Sequence, residues 1–248
     1  MKKKLKRGFL VALLIGFDEK EIHLWQVYSQ SLREYKTLKF THKWEFLDDK
    51  QIYNHLEELV NIIRHVIRDG LKSILLASSQ KKNYSTIFLD HIKKHHQWLV
   101  RSNRDNQVSF GQIIGTANTL ESAKSLISHE KSLQVIYETK SDELNLLVKQ
   151  LEKVINIGDP NKLLLYSLEE IEAFIYEGGK NDKSVAEKLD FLIITENFIN
   201  HHKNENRIHR LIQIANNKGI RTKIISIEDP AVDRFNQFGG ILAFKKTS

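Results

Sequence analysis

The sequence predicts two α/β domains in tandem: a layered domain of ribonuclease-H-like element order, then a three-layer α/β/α sandwich. Three observations lead there. Of 248 residues 41% are hydrophobic, with 11 Gly and 2 Pro, so the chain can bury two cores and is neither fibrous nor linker-like. The segment 9–40 reads as three strand-like runs joined by short polar turns. Beyond it, helical and strand periodicities alternate, and the rhythm changes after Gly115-Thr-Ala-Asn118, which sets expected domains of 1–118 and 119–248.

In the first domain, strands are expected at 9–17, Ile22–Ser29 and Leu32–Phe40, forming an antiparallel meander. The opening Met1-Lys-Lys-Lys-Leu-Lys-Arg7 before the apolar run imitates a secretion signal. Asp18-Glu-Lys-Glu21 follows where a small-residue cleavage site would stand, and the run is too short to span a bilayer, so it reads as a buried strand behind a basic tail. Ile52, Leu56, Leu59, Val60, Ile63, Val66 and Ile67 recur at helical spacing, with Asp48 and Asp49 placed to cap the start and Gly70 to stop the end. Ser73–Ala77 reads as a buried strand, Ser85–His96 as a helix and Val108–Ile114 as a strand, completing the order β-β-β-α-β-α.

In the second domain, helices are expected at Asp142–Ile157, from the capping box Ser167-Leu-Glu-Glu170 to Gly178-Gly179, along the face Ile208, Leu211, Ile212 and Ala215 up to Gly219, and near Ala231–Gln237. Strands are expected at Leu163–Leu165, Asp190–Thr195, Arg221–Ile227 and Ile241–Lys245.

The chain has no cysteine, which excludes a disulfide framework, a thiolate zinc site, an iron–sulfur cluster and a cysteine nucleophile, and fits a reducing cytoplasm. Residues 1–124 carry 21 Lys and Arg against 13 Asp and Glu, a net +8, whereas 125–248 carry 17 against 18. A basic half favours a polyanionic partner such as nucleic acid, because each neutralised phosphate releases counterions, over a membrane surface, for which no long amphipathic basic helix is present. No phosphate-loop or dinucleotide glycine motif is present, so nucleotide hydrolysis and dinucleotide binding have no support in the sequence. The first three strands offer Asp18, Glu19, Glu21 and Glu34 mostly in turns, unlike the clustered carboxylates with which a nuclease holds Mg²⁺.

Among 11 histidines, His91 and His95 are spaced to share a helix face, as zinc pairs do. No His-Glu-x-x-His arrangement accompanies them, Asp90 is the nearby carboxylate, and a third and fourth ligand do not show in the sequence. The adjacent pairs His95-His96 and His201-His202 splay about 100° apart on a helix. No metal and no cofactor is therefore expected.

Leu71-Lys-Ser-Ile-Leu-Leu-Ala-Ser78, Phe88-Leu-Asp-His-Ile-Lys93, Tyr166-Ser-Leu-Glu-Glu-Ile-Glu-Ala-Phe174 ahead of Leu189-Asp-Phe-Leu-Ile-Ile-Thr195, and the closing Phe235-Asn-Gln-Phe-Gly-Gly-Ile-Leu-Ala-Phe244 form an ordered set. Together, from about Gly8 to Phe244, they resemble the central and C-terminal domains of Pelota and its relatives, the class-1 release factors of archaea and eukaryotes. The Gly239-Gly240 pair reads as a turn into the last strand, where glycine tolerates positive φ. The resemblance implies a factor that binds the ribosomal A-site region. Its central domain would reach toward the tRNA acceptor end and its C-terminal domain would contact a translational GTPase of the elongation-factor class.

Two departures qualify what carries over. Release factors bear Gly-Gly-Gln between the third strand and the first long helix, whereas this loop reads Phe40-Thr-His-Lys-Trp-Glu-Phe-Leu-Asp48, so peptidyl-tRNA hydrolysis by that route is not expected. Ser78-Ser79-Gln80 resembles a degenerate version but follows the fourth strand. The resemblance does not extend to the family's N-terminal domain, which reads the stop codon or enters the empty mRNA channel, so codon recognition is not among the expectations.

Arg33, Lys36, Lys39, His42 and Lys43 run up to Trp44, joining cations to aromatics in the manner of single-stranded RNA contacts. Lys36, Lys39, His42, Lys43 and Trp44 are the expected RNA-binding residues, with Trp44 stacking at the loop tip. The expectation is a ribosome-binding Pelota-like factor that rescues or protects stalled or idle ribosomes without hydrolysis, with no membrane or DNA partner. A divergent hydrolase using Gln80, or an RNA-binding adaptor that never meets the ribosome, are the alternatives.

Overall fold

The structure, a computed structural model, describes residues 10–68, 70–100, 107–156, 163–177, 189–203, 205–229 and 231–245. The basic tail and the Gly178-Gly179 helix stop lie outside the described residues. The chain divides into two compact units, Met1–Glu143 and Leu144–Ser248.

The first unit is built on a sheet of strands β1 (Leu10–Phe17), β2 (Glu21–Tyr28), β3 (Leu32–Lys39), β4 (Ser73–Ser78) and β5 (Ser109–Ile114), in spatial order β3-β2-β1-β4-β5. β1, β2 and β3 form the expected antiparallel meander, and β1, β4 and β5 run parallel. β1 lies at the centre and is covered on both faces. Leu13, Ile15 and Phe17 meet helices α1 (Asp49–Arg68) and α2 (Tyr84–His95), while Ala12 and Leu14 meet α3 (Leu120–Ile127) and the first turns of α4 (Glu130–Asn156). Burial on both faces is why the strand is a continuous apolar run that resembles a signal segment.

Gly16 sits where the 115–118 connection crosses β1: a Cβ there would lie 2.6 Å from the Ala117 carbonyl oxygen. That same oxygen accepts a 2.7 Å bond from Trp25 Nε1. α1 opens with a reciprocal box, in which Asp48 Oδ1 accepts from the Gln51 amide at 2.7 Å and Gln51 Oε1 accepts from the Asp48 amide at 3.0 Å.

The units part later than the boundary near 118 suggested by the sequence. Ala123, Leu126 and Ile127 of α3 and Val135 and Ile136 of α4 pack against Leu14, Leu75 and Ile113 of the first sheet. The helix expected at Asp142–Ile157 starts at Glu130, and the division falls inside it.

The second unit carries strands β6 (Leu164–Leu165), β7 (Phe191–Thr195), β8 (Arg221–Ile225) and β9 (Ile241–Phe244) in the order β6-β9-β7-β8. Alternation along each strand sends successive side chains to opposite faces. Leu192, Ile194, Ile241 and Ala243 meet α5 (Leu168–Glu177), α6 (Glu196–His201) and α7 (Glu205–Asn217). Phe191, Ile193, Leu242 and Phe244 meet the C-terminal half of α4 and α8 (Val232–Asn236), which completes the expected three layers. Gly239 and Gly240, at φ +87° and +80°, make the turn into β9, and a Cβ on Gly240 would lie 2.8 Å from Thr195 Oγ1. Among the described residues, no helix is long and apolar enough to cross a membrane.

Candidate nucleic-acid interface

β3 is an edge strand, and its outward positions are polar and exposed. Its register with β2 slips between Leu24 and Trp25, a bulge that places Tyr35 out of the ladder. An inserted residue inverts the alternation, so Leu32 joins the core on the α3 side while Leu38 joins the core on the α1–α2 side. Lys36 therefore shares a face with Leu38, and Lys39 lies on the opposite one. Lysines on such an edge also deter strand addition.

Beyond β3 the chain is pinned to the β1–β2 turn by backbone bonds from Phe40 to the Lys20 carbonyl, 2.8 Å, and from Trp44 to the Glu19 carbonyl, 3.0 Å. Trp44 turns inward and is only 4% exposed. Its indole stacks on Tyr84 at 4.9 Å and meets Phe40 and Phe17 edge-on at 5.4 and 6.4 Å. The expectation that Trp44 stacks on bases at a loop tip is thus corrected: three aromatic neighbours from β1, the β3 exit and α2 take the ring into the core. The ring that faces solvent is Phe46, 73% exposed.

The cations fall into two groups. Lys43 lies 2.6 Å from Glu19 Oε2, Lys82 bridges Glu19 at 2.5 Å and Glu45 at 2.7 Å, and Lys39 lies 3.3 Å from Glu21. Hydrogen bonds from Lys43 and Lys82 lower the Glu19 carboxyl to about 2, and the same contact raises Lys43. Arg33, Lys36 and His42, by contrast, are exposed and have no ion pair among the described residues. The carboxylates Glu19, Glu21 and Glu45 were the missed signal: they lie near the basic run in space and offset much of its charge.

Gln80 is exposed at a cleft of about 690 Å³, also lined by Gln112, Thr116, Ser125, His129 and Ser132. Elsewhere in the first unit, Glu57 of α1 meets His91 of α2 and His96 just past its end, with Oε1 2.9 Å and 2.6 Å from the two Nε2 atoms. His91, rather than pairing with His95 alone, is thus tied to a carboxylate 34 residues earlier in the chain. Burial holds His91 below the usual imidazole range, whereas the two imidazoles lower Glu57 against the opposing effect of its own desolvation.

This fold, a five-stranded sheet led by an antiparallel meander and then a four-stranded sheet covered on both faces, is similar to two solved structures. Yeast (S. cerevisiae) Dom34, described as a translation termination-like factor involved in RNA quality control pathways and interacting with Hbs1, matches at TM-score 0.50 and 18% identity over 95% of this chain and 62% of its own. Archaeal Pelota, in a model of its ribosome-bound state with ABCE1, matches at TM-score 0.55 and 11% identity over 99% of this chain and 64% of its own. The chain spans less than two thirds of the length of either. No protein-family model matches the sequence, and comparison with curated protein sequences finds no match.

Proposed function

We propose that the protein is a ribosome-binding, Pelota-like factor that acts by occupancy in rescue or protection of stalled or idle ribosomes. The observation that carries this reading is a fold similar along 99% of the chain to archaeal Pelota in a model of its ribosome-bound state. The first unit, Met1–Glu143, carries 23 Lys and Arg against 17 Asp and Glu, a net +6, which supports ribosomal RNA as the surface it meets. The second unit, whose half of the sequence is nearly neutral, is the docking element for a GTPase of the elongation-factor class, by analogy with Dom34 and Hbs1. RNA contact is assigned to Lys36, His42 and Arg33, with Phe46 as the stacking ring and Lys39 and Lys43 contributing through charge they share with Glu21 and Glu19.

Hydrolysis of peptidyl-tRNA is not part of the proposed activity. The connection 40–48 contains neither Gly nor Gln, and its two large buried rings, Phe40 and Trp44, are core residues. Sedimentation of the protein with ribosomes through sucrose, at several salt concentrations, tests the reading, and migration at the top of the gradient at every concentration overturns it. Ester release that disappears on Gln80→Ala would move the assignment to a hydrolase working from the cleft beside Gln80.

A further inference from the structure

Three side chains from two segments, α1 and the end of α2, converge inside the first unit without any part in the RNA reading. Glu57 projects from α1 between the core residues Leu56 and Leu59, His91 from the last turns of α2, and His96 from the residue that ends that helix. The backbone leaves helical geometry at His96, φ −128° and ψ 44°, and this swings its ring back toward α1 instead of the 100° splay an unbroken helix would give. One donor atom from each residue lies within 4.8 Å of the other two. His91 and His96 are 8% and 6% exposed, their ring planes are inclined at 48° and do not stack, and both Nε2 atoms are directed at the same Glu57 oxygen.

We propose that Glu57, His91 and His96 form a binding site for a divalent transition metal of the zinc class, which clamps α1 to the end of α2. Two imidazole nitrogens and one carboxylate oxygen are a donor set that suits zinc, with the fourth position left to solvent. Ligands at tetrahedral zinc distances stand about 3.3 Å apart, so the present separations of 2.6 and 2.9 Å need to widen by roughly half an ångström. Glu57 can supply that movement because its side chain keeps 26% of its exposure, which also leaves an entry path for the ion. On binding, the two N–H···O bonds give way to two nitrogen–metal bonds and one oxygen–metal bond, and each imidazole carries its proton on Nδ1. The proposal is independent of ribosome binding.

The test uses the whole chain, stripped with chelator and titrated with Zn²⁺ by calorimetry and with Co²⁺ by visible absorption. The expected result is one ion per chain, a Co²⁺ spectrum of tetrahedral type and a melting temperature raised by Zn²⁺. Glu57→Gln keeps the size and a hydrogen-bond acceptor, so it should fold, shown by an unchanged far-ultraviolet spectrum, and yet bind at least about tenfold more weakly. His65→Ala, an exposed histidine on α1, should bind as the parent does. Absence of stoichiometric binding in the parent, or equal binding by Glu57→Gln, overturns the site and leaves the cluster a hydrogen-bonded triad.

Discussion

Two segments of the first unit, the connection 40–48 ahead of α1 and the turn 91–96 at the end of α2, both mix aromatic rings with ionisable groups, and they resolve oppositely. In 40–48 the aromatic Trp44 goes inward and the lysine goes to a carboxylate at the surface. In 91–96 the ionisable imidazoles themselves go inward, because Glu57 waits there to accept both. Burying a polar group costs free energy unless a partner meets it, so Glu57 decides the direction of the imidazoles, whereas ring contacts decide that of Trp44, whose Nε1 has no hydrogen-bond partner among the described residues. Those partners, Glu19, Tyr84 and Glu57, all lie far off in sequence.

The sharpest way to break the comparison is to truncate two rings of the connection, the buried Trp44 and the exposed Phe46. Trp44→Ala removes a buried indole from among Phe17, Phe40 and Tyr84 and should cost about 3–5 kcal/mol. Phe46→Ala, at an exposed position, should stay within about 0.5 kcal/mol while weakening ribosome binding. Urea midpoints together with co-sedimentation read both quantities. A stable Trp44→Ala protein with lost ribosome binding would restore the stacking role to Trp44.

On the other side of the comparison, Glu57→Ala assayed in chelator leaves His91 and His96 without their shared acceptor. The expected cost is about 1–3 kcal/mol, the usual penalty for buried donors that lose a partner. A melting temperature equal to the parent's would mean that water replaces the carboxylate and that the turn is less closed than its 6–8% exposure indicates.

How far the sequence reaches follows from the same contrast. Periodicity located α1 and the strands within a few residues, because a helix face or a strand run is a local pattern that burial imposes directly. It did not reveal that 120–136 packs on the first sheet, since an amphipathic helix does not say which sheet it covers. Nor did it show the bulge at Tyr35, which makes Leu32 and Leu38 face opposite cores despite an even spacing. For the candidate site, the basic run was legible and its counter-charges were not: Glu19 and Glu21 sit in the preceding turn and strand, and their pairing with Lys43 and Lys39 is a tertiary fact. The Glu57–His91–His96 cluster was hidden for that reason also, and a search for ligands confined to one helix stopped at His95.

A finer comparison sets a free lysine against a paired one. Lys36→Ala should lower the slope of log affinity against log salt by about one if Lys36 neutralises a phosphate. Lys43→Ala should change it less, because Glu19 already holds that ammonium at 2.6 Å and the variant leaves Lys82 to pair with the same carboxylate. Equal slopes for the parent and Lys36→Ala would remove the β3 edge from the RNA surface.

The smallest effect concerns Glu19, the carboxylate that joins Lys43 of the connection to Lys82 ahead of α2. Its carboxyl titrates at about 2 in the folded chain against an ordinary 4.5, so the folded state binds its proton more weakly than the unfolded state does. Linkage then gives the sign: the stabilisation is full above the ordinary value, declines as pH falls below it, and is gone once pH passes the folded value. The parent should therefore melt slightly above Glu19→Gln at neutral pH, and the gap should close between pH 4.5 and about 2. Because the pair is at the surface, the gap should also shrink in high salt. A gap that persists unchanged to the acid end, or that widens there, would show that the difference between the two proteins does not arise from the charge of the carboxylate, since the backbone bond from Trp44 to residue 19 is the same in both.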